Sequence, residues 1–287
     1  MPASAHLPTP AGRASAAPRF RIVAETEDCL VIDKPAFLLI HPSKPDGTPT
    51  LWAALRELLA FELVNGGQVS IVNRLDRETS GLVLIAKNAT AARRFGLAME
   101  RRLIEKEYLA IVHGWPDWEN TIVDAPLARQ GAHGPSAIWL KQAVHEKGAP
   151  ALTAFRVESR FVRHEAGRED SFAIVRAIPR TGRTHQIRVH LAHLGHPLVG
   201  DKIYGPNEKL YLRFIETGWT EELQRQLLLP RQALHSARLR IDGEFDWQSP
   251  FTEDLREWMG AARTPRAAVT SRSSPSNLEP GFAPPYP

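Results

Sequence analysis

Cysteine is nearly absent. Cys29 is the only one among 287 residues, which excludes an intrachain disulfide framework and fits a reducing cytoplasm. It lies in the apolar run 29–32, where a buried, inert thiol is expected. No stretch of about eighteen consecutive apolar residues occurs, so no membrane span is expected. Residues 1–18 are rich in Pro, Ala and Ser and lack the apolar centre of a signal peptide. Also missing are a Walker loop, a dinucleotide glycine fingerprint, a His-Glu-x-x-His pair and any internal repeat. A strong charge excess is lacking as well. The formal net charge of +4 is a mild basic balance that leans toward anionic partners without identifying one.

What is present is a hydrophobic share of 43%, enough for one large domain or two modest ones. Apolar runs at 20–23 and 30–33 read as a hairpin, and those at 69–72, 82–86, 108–112 and 234–241 as further strands. Alternation over 138–144, 152–158 and 172–178 reads as antiparallel sheet, with a polar hairpin tip at 163–170. Thr50 is expected to cap a helix over 51–61. A second helix is expected over 91–104, and a third begins at Thr184 and stops at Gly195. Residues 221–229 form a fourth. Strands dominate and helices interrupt them irregularly, which predicts an α+β fold around a mixed, mainly antiparallel sheet with flanking helices. Residues 1–18 and 263–287 read as disordered tails.

The most informative segment is Asn73-Arg74-Leu75-Asp76-Arg77-Glu78-Thr79-Ser80-Gly81-Leu82, a polar loop between two buried-strand patterns. Loops that leave and rejoin a packed scaffold often carry function. Asp76 sits between Arg74 and Arg77. An anionic nucleophile needs cationic neighbours, and an ordinary surface ion pair has them too.

This loop resembles the signature of the RluA-type RNA pseudouridine synthases, usually His-Arg-Leu-Asp-x-x-Thr-Ser-Gly. Three further segments match in the same order. Residues 30–42 resemble the family's opening strand and turn, and Lys106-Glu107-Tyr108 with the apolar run after it resembles its tyrosine motif. Residues 180–205, from Arg-Thr-Gly-Arg-Thr-His-Gln-Ile-Arg-Val-His to Asp-Lys-Ile-Tyr-Gly, resemble its arginine motif. The resemblance runs from about residue 19 to about residue 258. It implies a single catalytic domain, taken here as 19–262, around a long bent sheet with the cleft across its middle. An N-terminal S4 RNA-binding module, common in the family, has no room before residue 19.

The implied reaction breaks the C1′–N1 bond of a uridine in structured ribosomal or transfer RNA, rotates the uracil and rejoins it through C5, with no metal or other cofactor. By the same resemblance Asp76 is the nucleophile or sugar-stabilising carboxylate, and Arg188 pairs with it in two-pronged fashion. Tyr108 stacks on the uracil and assists proton removal from C5. Arg74 fills the gap left by the flipped base. Without the motifs, Arg188 would read as a phosphate-facing or surface arginine, Tyr108 as a half-buried strand residue and Arg74 as a salt-bridge partner of Asp76 or Glu78.

Arg180 and Arg183 flank the Gly182 turn and read as phosphate contacts or turn supports. Arg93, Arg94, Arg101 and Arg102 form a basic stripe, either a phosphate track or a solvated face. Thr79, His185 and His235 are expected to support the site from behind. Asn73 replaces the usual His, keeping a donor and an acceptor but losing the ring. Phe37 stands where the family often has glycine, and a changed turn is expected there because Phe is poorly suited to positive φ. His185, His190, His193 and His196 invite a metal, yet no Cys or acidic ligand completes a site. A soluble monomer acting on RNA is expected. The alternatives are a catalytically silent RNA-binding relative, made conceivable by Asn73, and a glycosidase or nucleosidase with Glu78 as second acid.

Overall fold

The computed structural model describes residues 20–42, 48–165 and 168–260; both expected tails fall outside them. The strands are β1 (Arg21–Glu25), β2 (Cys29–Lys34), β3 (Ser70–Ile71), β4 (Ser80–Ala86), β5 (Ile104–His113), β6 (Asn120–Asp124), β7 (Leu127–Arg129), β8 (Gln142–Val144), β9 (Leu152–Glu165), β10 (Arg168–Pro179), β11 (Leu234–Ile241) and β12 (Phe245–Gln248). The helices are α1 (Leu51–Leu58), α2 (Ala60–Val64), α3 (Ala89–Glu100), α4 (Gln186–His193), α5 (Lys209–Thr217), α6 (Glu221–Leu227) and α7 (Glu253–Gly260).

Ten strands form one sheet with the path β1-β2-β4-β11-β5-β10-β9-β6, while β3 pairs with β4 and β12 with β11. Every pairing in it is antiparallel except β4 with β11, which run parallel through His235↔Ser80 and Ser236↔Gly81. That exception lies mid-sheet. There a strand arriving from the signature loop meets one arriving from the opposite end of the chain. Gly81 permits the approach. Its φ is +109°, and a Cβ on it would lie 2.3 Å from the Ser236 carbonyl oxygen, so no other residue fits without moving β11.

Alternation along the strands splits the core. Leu30, Ile32, Val83, Ile85, Tyr108, Ala110 and Val112 pack with α1 and α4 on one face. Cys29, Val31, Leu82 and Leu84 pack with Ala91 and Phe95 of α3 on the other, so the thiol is buried as expected. The completely buried Arg231 ties α7 to the centre of the sheet. Its guanidinium donates to both Asp254 carboxylate oxygens (2.7 and 3.0 Å) and to Thr252 Oγ1.

Several local expectations need correction. Thr50 does cap α1, its hydroxyl accepting the Ala53 amide, but Thr184 does not cap α4. The cap position is His185, in the left-handed region at φ +57° with no side-chain capping bond. The second helix ends at Glu100, and Arg102 at φ +59° turns the chain so that Ile104 already begins β5. Only Gln142–Val144 of the strand expected over 138–144 is extended, because the Lys141 amide donates back to the Ile138 carbonyl (3.1 Å) and closes a turn there. The polar tip expected at 163–170 is largely strand, with pairing continuing to Arg168↔Glu165. Phe37 adopts φ +67°. The turn keeps the conformation a glycine would take, and the strain falls on a half-exposed Phe.

Candidate active site

A cleft of about 490 Å³ opens on the α1 and α4 face, lined by the signature loop, Tyr108 on β5, the turn after β10 and the first residues of α4. It is within the size range of small-ligand pockets. Among the described residues lining it, Asp76 is the sole carboxylate, against Arg74, Arg77, Lys106, Arg183 and Arg188.

The loop is held from behind. Asn73 is buried, accepts the Leu84 amide on Oδ1 (2.8 Å) and donates from Nδ2 to the Leu82 carbonyl (3.1 Å). It therefore extends the β4 ladder by side chain, a role that needs one donor and one acceptor and no ring. The Thr79 amide donates to the Asp76 carbonyl and closes the turn (3.1 Å), while Gln232 Nε2 donates to the Thr79 hydroxyl (3.2 Å). One residue on, Ser80 Oγ meets His235 Nδ1 at 3.0 Å, and His235 Nε2 lies 3.2 Å from the Ser249 carbonyl. Burial pushes the imidazole of His235 down from its ordinary pKa. His235 thus pins β11 to the loop behind the cleft.

Two buried lysines complete the support; both lie in matched segments, but their supporting role is not read from the sequence. Lys34 donates to the carbonyls of Pro35, Leu38 and Arg77 at 2.8–3.2 Å. Its burial, with Arg231 nearby, brings its pKa down to about 7. Lys202 donates to both Glu78 oxygens (2.8 and 2.9 Å) and to the Pro230 carbonyl. Glu78 is committed to that pair and does not line the main cleft, which removes the second acid that a glycosidase reading requires.

Arg188 reaches Asp76, but not as expected. Its Nη1 donates once to Asp76 Oδ2 (2.8 Å). The two-pronged pairing goes to Asp201, from Nε (2.7 Å) and Nη2 (2.9 Å). Asp201 is fully buried and also accepts the amides of Ile203 and Tyr204 at 3.0 Å each. Burial opposes its charge, yet Arg188 and these amides hold its pKa below the ordinary carboxylate value. The pKa of Arg188 is raised by the same carboxylates. Asp201 lies inside the arginine motif, but its part in the site emerges only when the turn after α4 folds back.

Tyr108 faces the cleft and is buried, and desolvation beside Asp76 pushes its hydroxyl up to about 12. At neutral pH it is a phenol. Lys106, two residues earlier on the same face, is part-buried, and its side chain makes no hydrogen bond or ion pair among the described residues. Burial alone lowers its pKa. Arg74 is exposed at the rim and likewise unpaired, since Asp76 and Glu78 are held by other cations.

The remaining cations divide. Arg183 lines the cleft and donates to the Pro150 carbonyl (3.0 Å). Arg180 lies outside the lining, 3.6 Å from Glu105. In the stripe, Arg94 is drawn to Asp28 (3.7 Å) and Glu244 (3.9 Å) and lies over the Phe95 ring. Arg93, Arg101 and Arg102 are exposed. Arg101 and Arg102 follow Met99, which lines the cleft, whereas Arg93 lies two turns back along α3. The histidines are mostly committed elsewhere. His190 meets Thr153 Oγ1 and the Ala125 carbonyl, His196 the His113 carbonyl and His185 the Tyr204 hydroxyl.

Comparison with known proteins agrees with this geometry. The family profile described as RNA pseudouridylate synthase matches residues 28–193. Ribosomal large subunit pseudouridine synthase D of Escherichia coli is 37% identical over 255 residues, covering 84% of this chain and 70% of that protein. The proteins of the same name from Pseudomonas aeruginosa (36%, covering 86% and 73%) and Nitrosomonas europaea (33%, covering 87% and 67%) are similar to comparable extents. Two solved structures share the fold. Human RNA Pseudouridylate Synthase Domain Containing 4 superposes with a TM-score of 0.64 at 20% identity, covering 85% of this chain and 94% of that one. Human RNA Pseudouridylate Synthase Domain Containing 1 gives 0.61 at 24%, covering 88% and 100%. A profile matched across more than half of the chain, and relatives above 30% identity aligned over most of their length, place the signature loop and its cleft in one lineage: the chain belongs to the RNA pseudouridylate synthase family.

Proposed function

We propose that the cleft isomerises uridine to pseudouridine in large-subunit ribosomal RNA, with Asp76 acting on the nucleotide and Arg188 orienting it. The observation that carries this reading is one partly exposed carboxylate, fixed by a buried arginine, in a cleft whose other charged lining residues are cations. Such a lining attracts a polyanion, and the carboxylate supplies the charge that an electron-poor sugar requires. The relatives' names supply the ribosomal substrate class.

Tyr108 presents a ring for the uracil to lie against and a hydroxyl protonated at rest. Arg74, free at the rim, has the planar cation needed to occupy a vacated stack. Lys106, Arg183, Arg101 and Arg102 offer charge to phosphates. We further propose that residues 19–262 act as one catalytic domain in a monomer. A silent relative is disfavoured because Asn73, the residue that suggested it, fully satisfies a bracing role.

The test is tritium release from ribosomal RNA labelled at C5 of uridine, with pseudouridine mapped at single-nucleotide resolution. Turnover by the intact chain and none by Asp76→Asn supports the assignment. Equal turnover by both would falsify it.

A further inference from the structure

His185 is an oddity. It is a non-glycine residue in the left-handed region at φ +57°, it opens α4 without capping it, and its side chain is about 10% exposed. Backbone strain of this kind persists where the surrounding structure enforces it, often at functional sites. The strain sets the ring between two fixed groups. Nδ1 is 2.8 Å from the Tyr204 hydroxyl, and Nε2 is 3.9 Å from Asp76 Oδ2.

The hydrogen bonds settle the tautomer. Tyr204 Oη already accepts the Gln142 amide (2.9 Å). Its remaining donor has one partner, His185 Nδ1, and reversing that bond would leave a buried hydroxyl proton unsatisfied. Tyr204 stays protonated because burial raises its pKa. Nδ1 is therefore an acceptor, and the ring proton sits on Nε2, aimed at the cleft. Burial and the neighbouring Arg188 bring the imidazole down to about 4, against the opposing pull of Asp76 and Asp201. The ring is a neutral donor with no acceptor at hydrogen-bond distance among the described residues, Asp76 Oδ2 being 3.9 Å away.

We propose that His185 Nε2–H donates to the uracil O2 of the bound nucleotide as the glycosidic bond breaks. This rests on the assignment of Asp76 above. When C1′–N1 breaks, its electron pair stays with the uracil and spreads onto N1, O2 and O4, while Asp76 meets the electron deficiency at C1′. O2 belongs to the carbonyl next to N1, so it is the uracil oxygen nearest the breaking bond. A donor preorganised where negative charge develops accelerates bond breaking without itself transferring a proton. Gln142, Tyr204 and His185 form one chain whose purpose is to point that donor.

The experiment is a cycle of protein and substrate changes under single turnover. His185→Asn tolerates the left-handed backbone but is too short to reach. RNA carrying 2-thiouridine at the target replaces O2 by a weaker acceptor. On ordinary RNA, His185→Asn should lower the single-turnover rate constant about 30-fold or more with RNA affinity within about threefold. On 2-thiouridine RNA the same variant should lose less than about threefold. Tyr204→Phe, which keeps the ring but frees its tautomer, should fall between. An equal loss on both RNAs overturns the proposal, as does a loss confined to binding. If Asp76→Asn proves active, the underlying assignment fails, and that outcome is read separately from the cycle.

Discussion

Asp201→Asn tests the central claim that Arg188 is anchored first and orients Asp76 second. Asparagine is nearly isosteric. Its Oδ1 can still accept the Ile203 and Tyr204 amides and Arg188 Nη2, but its Nδ2 then faces Arg188 Nε, a donor that was 2.7 Å from a carboxylate oxygen. Removing one charge from a buried pair costs about 3–5 kcal/mol because the other is left uncompensated. At about 2–4 °C per kcal/mol for a domain of this size, the melting temperature should fall by roughly 6–20 °C. The pH dependence supplies a sign. The folded pKa of Asp201 lies below its unfolded value. Its stabilisation is therefore complete above the unfolded value, about 3.9, and is lost as pH falls through the folded value. The stability gap between the intact chain and the variant should stay constant from about pH 7 down to about pH 5 and shrink only below about pH 4. Urea titrations at several pH values measure it. A gap under about 1 kcal/mol at pH 7, or one that widens on acidification, would refute the reasoning.

Arg188→Met strands both Asp201 and Asp76, so it should destabilise at least as much as Asp201→Asn and abolish turnover; activity within a few-fold of the intact chain would mean that Asp76 needs no partner. Arg74→Ala should lose much activity on a structured stem-loop and less where the target uridine is unpaired, since unstacking costs a few kcal/mol only in the first case; equal loss on both would argue against a stacking role. Arg101→Gln with Arg102→Gln should flatten the slope of log affinity against log salt by about 1.4–1.8, at roughly 0.7–0.9 per phosphate contact. Arg94→Gln should leave that slope unchanged because Asp28 and Glu244 already occupy Arg94, and a filter-binding series separates the two.

What was legible in the sequence was contiguous or periodic. The signature loop, the α+β class, the Thr50 cap and the buried Cys29 all depend on near neighbours. What was not legible depends on residues far apart in the chain. Asp201 lies in a matched motif, but its role follows only when the turn after α4 brings it under Arg188. Lys202 and Glu78 are 124 positions apart, and nothing local announces their pairing. Lys106 marks the register of the tyrosine motif, and only the alternation of β5 shows it to share the face of Tyr108. Thr184 has the chemistry of a cap, but the strained His185 takes the position. Helical spacing joined Arg93 and Arg94 to Arg101 and Arg102 in one stripe, but α3 stops at Glu100, and spacing carries no record of the acidic residues that meet Arg94.

The one-armed contact between Arg188 and Asp76 suits the proposed chemistry better than the expected fork. A forked guanidinium would occupy both carboxylate oxygens and leave Asp76 oriented but spent. Here Asp201 absorbs the fork and, through two backbone amides, fixes Arg188 to the turn after α4. Arg188 then spends a single donor on Oδ2, while Oδ1 makes no hydrogen bond among the described residues. The cleft that Asp76 lines carries otherwise positive charge, and His185 and Tyr108 line it too, with His185 Nε2 3.9 Å from Asp76 Oδ2. A carboxylate meant to meet a reacting sugar has to be both held and available. Dividing the arginine between two aspartates meets both requirements, because the buried one takes the geometric constraint and the half-exposed one keeps an oxygen for the substrate.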